Sequence, residues 1–256
     1  MRTVAEQAVL PRFGNLAAHE VHEKEPGDPV TIADREAEQL LEAGLSAICP
    51  GARVIGEEAC AGNPALLDQA SDGLVWIVDP IDGTANFSAG NPPFGIMIAL
   101  LADGETQASW IYDPLSRRLC HAVRGGGAFV DGRRVRAVAS AGPPTAAITA
   151  VGEPATVLEA RRTRIATRFE LMPMPRCAAE QYPRLCLGQT DVAMFRRTLP
   201  WDHAPGALLF AEAGGHIARW NGAPYRPAAD GIGLLAATTP ALWEQAAELL
   251  FTEDER

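Results

Sequence analysis

Apolar residues Leu40, Leu41, Leu45 and Ile48 recur at helical spacing, so residues 32–48 read as an amphipathic helix that stops at Pro50-Gly51. Ahead of it, residues 4–22 read as a helix interrupted near Pro11, and residues 24–28 as a polar loop. The pattern then changes period. Residues 74–78 are almost wholly apolar, the mark of a strand covered on both faces. Strands at 94–101 and 107–112 flank a tight turn at Asp103-Gly104, and after Asp113-Pro114 the chain returns along 118–123. Asp131-Gly132 signals a hairpin between 128–130 and 134–136. Hairpins in series predict an antiparallel sheet in the first half.

Small residues and prolines at 141–144 predict a boundary between an N-terminal α+β unit, residues 1–144, and a C-terminal α/β unit, residues 145–256. In the second unit, strands at 147–151 and near 191–195 alternate with helices at 155–167, 203–212 and 241–251. Gly214-Gly215 closes the middle helix, and Asn221-Gly222 marks a hairpin. Such alternation predicts an α/β layer packed on the first sheet, giving a mixed α/β (α+β) class.

Composition narrows the function. The 256 residues are 47% hydrophobic and 21% charged, which suits a globular chain with a sizeable core. A net charge of -10 argues against nucleic acid as a partner, because phosphate backbones call for basic surfaces. A phosphorylated small molecule stays compatible, provided cations stand between it and the protein. Five cysteines without Cys-x-x-Cys spacing predict reduced thiols in the cytoplasm. Neither a signal peptide nor a membrane-spanning run is expected. Lys24 is the single lysine.

The candidate chemistry lies at 76–87, Trp-Ile-Val-Asp-Pro-Ile-Asp-Gly-Thr-Ala-Asn-Phe. A buried strand delivers Asp79 to its end, and a tight turn places Asp82 nearby. Two carboxylates so close repel unless something positive lies between them, and hard Mg²⁺ prefers oxygen ligands. The Ile81 carbonyl adds another oxygen. Gly83 and Thr84 open a helix whose unpaired amides suit a phosphate. The competing reading is an Asp-rich turn that merely caps a helix. A phospho-aspartate phosphatase element has its two aspartates two apart; here they are three apart with Pro80 between, which excludes it.

The stretch Asp79-Pro80-Ile81-Asp82-Gly83-Thr84 resembles the first signature of the inositol monophosphatase family. Trp201-Asp202-His203-Ala204-Pro205-Gly206 resembles the second, and residues 54–58 and 28–34 match in the same order. The resemblance covers residues 24–233 and implies a layered α-β-α-β-α sandwich binding two or three Mg²⁺. It assigns Glu57, Asp79 and the Ile81 carbonyl to the first ion. Asp79, Asp82 and Asp202 hold the second, and Glu57 helps place a weaker third. Thr84, hydrogen-bonded to Asp34, orients the attacking water, and the Gly83 and Thr84 amides bind phosphate. Thr31-x-x-Asp34 also fits a helix capping box.

The family's sugar-facing Gly-Ser/Thr-Ala becomes Arg176-Cys177-Ala178 here, and Phe195-Arg196-Arg197 stands where several members carry an acidic residue. Arg176, Arg196 or Arg197 then suits a second anionic group. Inositol 1-phosphate, nucleotide 3′-phosphates, fructose 1,6-bisphosphate and histidinol phosphate all remain candidate substrates. The resemblance further implies lithium sensitivity and a homodimer. The reading from another class is a non-catalytic scaffold that keeps the fold.

Overall fold

The computed structural model describes residues 1–25, 27–149, 153–229 and 231–255. The chain starts with α1 (Arg2–Val4), which runs on through a π-helical turn at Ala5–Val9 and a 3-10 turn at Leu10–Arg12. Its buried face, Val4, Ala5, Ala8 and Val9, packs on the next helix. The expected helix over 4–22 therefore stops at Arg12, one residue after Pro11, which lacks the N–H needed to continue. Residues beyond it form a hairpin, β1 (Val21–Glu25) with β2 (Asp28–Thr31), so most of the expected loop at 24–28 is strand. Pro26 lies outside the described residues. The hairpin carries Glu23, Lys24, Glu25 and Asp28, and this run of charges hides its period-2 signal.

Helix α2 (Ile32–Ile48) matches its predicted span and starts with a reciprocal cap. The Thr31 hydroxyl accepts from the Ala33 amide, and the Asp34 carboxylate accepts from the Thr31 amide at 2.8 Å. Then come β3 (Arg53–Gly56), α3 (Glu57–Gly62), β4 (Leu74–Asp82), α4 (Thr84–Ser88), β5 (Gly95–Ala102), β6 (Glu105–Tyr112), β7 (Leu119–Val123), β8 (Gly127–Val130) and β9 (Arg133–Val135). β3 to β9 lie in chain order in one sheet, antiparallel throughout except for the parallel pair β3–β4.

The second half supplies β10 (Thr145–Ile148), α5 (Ala155–Ile165), β11 (Glu170–Met172), α6 (Ala178–Cys186), β12 (Val192–Phe195), α7 (Pro200–Glu212), β13 (His216–Ala218), β14 (Leu234–Ala237) and α8 (Pro240–Leu250). Its sheet has the order β11-β10-β12-β14-β13, parallel across the first three strands and antiparallel across the rest. The predicted strand at 147–151 begins earlier, at Thr145, and its positions 150 and 151 lie outside the described residues. Asn221-Gly222 turns the chain inside a longer connection between β13 and β14, rather than joining two strands directly. Helix α6 escaped the sequence reading because Pro183 sits inside it.

Alternation within the strands explains the layers. On β4, Trp76 and Val78 face α2 with Leu41 and Leu45, whereas Val75 and Ile77 face Trp201 and Ala204 at the start of α7. On β12, Ala193 and Phe195 meet α6 and α7, whereas Val192 and Met194 meet α5 and α8. Each central strand is thus apolar on both faces, and the order is helix, sheet, helix, sheet, helix. Among the described residues, no helix is long and apolar enough to cross a membrane.

Helices α6 and α7 lie close together in the middle layer. A Cβ added at Gly206 would stand 1.9 Å from the Tyr182 ring, so only glycine fits there. Gly206→Ala is expected to destabilise the fold by about 1–3 kcal/mol through overpacking. Urea denaturation measures it, and an unchanged midpoint would mean that Tyr182 moves aside at no cost.

Candidate active site

The end of β4 opens into a cavity of about 290 Å³. The pairing of β4 with β5 shifts register between Asp79, opposite Met97, and Asp82, opposite Gly95, so the strand bulges between the two aspartates. The Ile81 amide donates to Asp79 Oδ1 at 3.0 Å and fixes the turn. Gly83 has φ 85°, and a Cβ there would lie 3.0 Å from the Pro93 carbonyl oxygen. Glycine is therefore required to swing the chain into α4. Asp202 arrives from the other half of the chain. Helix α7 starts with Pro200, which suits a first helical position, so Asp202 stands in the first turn rather than just ahead of it.

One carboxylate oxygen from each of Asp79, Asp82 and Asp202 lies within 4.8 Å of the others. Asp79 is 1% exposed and Asp82 8%. Burial, then the charges of Glu57, Asp82 and Asp202, raises the Asp79 pKa well above the usual carboxylate range. Burial, then Glu57 and Asp82, does the same to Asp202, which hydrogen-bonds Asp79. Asp82 is raised to about 6, mainly by burial, and is held back by the Cys177 thiol and by the amides of Ala179 and Ala178 at the start of α6. The Ala179 amide donates to Asp82 Oδ2 at 2.6 Å. The three carboxyl groups thus disfavour one another's ionised form. Their donor set is oxygen only, which fits a hard divalent ion such as Mg²⁺.

Glu57 borders the same cavity but stands outside this triad. Lys24 Nζ reaches across from β1 to Glu57 Oε1 at 2.8 Å and Glu58 Oε1 at 2.6 Å. Burial alone would lower the Lys24 pKa, and the two carboxylates outweigh it and raise it. Thr84 Oγ1 donates to the Ile81 carbonyl oxygen at 2.8 Å and lies 3.2 Å from Asp34 Oδ1. Asp34 therefore serves both roles read for it, capping α2 and bracing Thr84. Burial raises the Asp34 pKa to about 7 despite the Thr31 hydrogen bonds.

Arg176, Cys177, Ala178 and Arg197 line the cavity. Arg196, the other arginine read as facing the substrate, is not among the lining residues and instead lies 3.7 Å from Glu153. Cys177 is buried with Sγ 3.7 Å from the Asp82 carbonyl oxygen, and burial pushes its thiol pKa up. His203 is buried too. Its Nε2 faces the Arg197 carbonyl oxygen at 3.0 Å and must carry the proton, so Nδ1 accepts from the Tyr182 hydroxyl at 2.9 Å. Burial lowers its pKa to about 3, and it supports the site as a neutral ring. Trp76 and Trp201 are packing residues, 5% and 6% exposed. The contacts of Lys24, Tyr182 and the α6 amides were not read from the sequence. The solitary lysine was the one available hint.

The fold places the chain among layered phosphatases. It superimposes on the extragenic suppressor protein suhB of Bartonella henselae with a TM-score of 0.83 and 26% identity, covering 98% of this chain and 95% of that one. The model of the inositol monophosphatase family matches residues 1–253, and the chain belongs to that family. It is a phosphoric monoester hydrolase by that membership. An inositol-1-monophosphatase of Mycobacterium leprae is 32% identical over 85% of this chain and 76% of its own length. A histidinol-phosphatase of Chlorobaculum parvum is 32% identical over 91% of this chain and 87% of its own.

Proposed function

We propose that the chain hydrolyses a small-molecule phosphate monoester by direct attack of water, with two or three Mg²⁺ held by Asp79, Asp82, Asp202, Glu57 and the Ile81 carbonyl. The observation that carries this reading is the convergence of three carboxylates within 4.8 Å along one cavity. Bound there, Mg²⁺ supplies a lowered pKa for water and a countercharge for phosphate and leaving oxygens.

The protein's own groups do the positioning. Thr84 Oγ1, braced by Asp34 and Ile81, accepts a hydrogen from the attacking water. Glu57 keeps one oxygen for the same water, since Lys24 occupies only Oε1. The Asn86 and Phe87 amides already donate to the Gly83 carbonyl, and the amides ahead of them, of Gly83 and Thr84, receive phosphate oxygens. The water oxygen bonds to phosphorus, the ester P–O bond breaks, and the alkoxide takes a proton from solvent. No covalent enzyme intermediate forms. Lithium inhibition, a homodimer and a cytoplasmic location belong to the same reading and rest on family likeness alone.

Phosphate release from inositol 1-phosphate, adenosine 3′,5′-bisphosphate, fructose 1,6-bisphosphate and histidinol phosphate tests the proposal. Release with Mg²⁺, and none with EDTA, is the expected result. Silence across the panel would instead favour the non-catalytic scaffold.

A further inference from the structure

We infer that Arg176 and Arg197 form a second oxyanion subsite, so that the substrate is a phosphomonoester bearing another phosphate or a carboxylate. The inference rests on the proposed hydrolysis and concerns the arginines that share the cavity with the triad. Both arginines line the cavity that holds the three aspartates.

Arg176 has φ 54°, a left-handed conformation that glycine adopts freely and other L-residues at a cost of roughly 1 kcal/mol. The backbone on each side of it is held. The Pro175 carbonyl accepts from Asn86 Nδ2 at 3.1 Å, and Cys177 Sγ meets the Asp82 carbonyl. Among the described residues its guanidinium has no hydrogen bond or ion pair. A long cationic side chain thus projects, unpaired, from a strained position that rigid neighbours fix at the cavity rim. Strain of that kind is a pointer to function.

Arg197 is held differently. The Asp28 carboxylate takes one of its five N–H donors, Nη1 to Oδ2 at 3.1 Å, and His203 fixes its carbonyl. The remaining donors face an open mouth, since the side chain is 44% exposed. The apolar Met174 and Phe195 line the same cavity. Of the carboxylates that act on Arg197, Asp28 is already hydrogen-bonded to it, and Asp202 belongs to the triad. A neutral polyol would find few acceptors for its hydroxyls here, whereas phosphate or carboxylate would find a fork of donors. An ammonium, as on histidinol phosphate, would meet like charge.

Steady-state kinetics with Mg²⁺ separate the sources of the anion. Fructose 1,6-bisphosphate and 3-phosphoglycerate carry a second anionic group, a phosphate or a carboxylate, and inositol 1-phosphate and glycerol 2-phosphate carry none. The expected preference in kcat/KM is about 10-fold or more for one or both substrates with a second anionic group. Arg176→Gly suits the observed φ and is expected to fold at least as stably. Arg176→Gly and Arg197→Gln should each cut that preference about 10-fold, through KM rather than kcat. A merely structural arginine would leave the preference alone. Equal or better turnover of the esters without a second anionic group, or a preference unmoved by both substitutions, overturns the subsite while leaving the proposed hydrolysis standing. If no ester is hydrolysed, the proposed function fails on its own. Calorimetric binding then decides: fructose 1,6-bisphosphate held more tightly than inositol 1-phosphate, and weakened by both changes, upholds the subsite, and equal binding overturns it.

Discussion

Asp79→Asn is expected to lower kcat about 10³-fold at saturating Mg²⁺, a loss of about 4 kcal/mol of transition-state stabilisation. Asp79 is the most enclosed member of the triad, and Glu57, Asp82 and Asp202 all act on its charge. An amide keeps the shape and one carbonyl oxygen but loses the negative charge that would bridge two cations. The substitution also removes a carboxyl whose ionisation is disfavoured by burial and by Glu57, Asp82 and Asp202 in the metal-free protein. Without Mg²⁺, the variant is therefore expected to melt no lower than the parent. With Mg²⁺, the parent should gain stability by ligand binding and the variant should gain much less. Near-normal kcat in the variant, with the parent active, would remove Asp79 from the centre of the mechanism.

The largest effect on stability is expected at Arg161, far from the carboxylates. Arg161→Leu should cost about 3–5 kcal/mol, because it strands a buried charge. The guanidinium is 2% exposed, and so is the side chain of its partner Glu153, which receives Nη2 at 3.0 Å and Nε at 3.1 Å. The same guanidinium also reaches Glu255 and the Leu250 carbonyl, and it stacks over Trp220 at 5.0 Å and Phe251 at 5.5 Å. It ties α5 to the end of the chain. The residual pair from Arg196 to Glu153, at 3.7 Å, is too long to replace it. Adding Glu153→Gln to Arg161→Leu should recover part of the loss, because the stranded charge is gone. A single-substitution cost below about 1 kcal/mol would show that water reaches Glu153.

Much of the architecture is legible before any coordinates. Residues 32–48 match their helix because period, cap and stop agree. The hairpins of the large sheet appear close to their predicted positions because Asp-Gly turns pin local register. The failures have different causes. The hairpin β1–β2 carries charges at Glu23, Lys24, Glu25 and Asp28, so pairing rather than hydrophobic pattern created it. Helix α6 contains Pro183 and reads as broken until its neighbours α7 and β12 are in place. Arg196 and Arg197 are adjacent and chemically identical in sequence. Only the path after β12 turns one toward Glu153 and the other toward Asp28 and the cavity.

By itself, the sequence determined the local machinery. A buried strand ends in Asp79-Pro80-Ile81-Asp82-Gly83-Thr84, a turn needs glycine at 83, and Asp34 caps the helix it begins. These features depend on neighbours a few residues apart, where backbone geometry and hydrogen bonding act directly. Tertiary structure decided everything that depends on distance between remote parts of the chain. It brought Asp202 beside Asp79, set Lys24 against Glu57, and aimed the α6 amides at Asp82. Coulomb energy varies with separation and burial, and both are fixed only when the two sheets stack around α6 and α7.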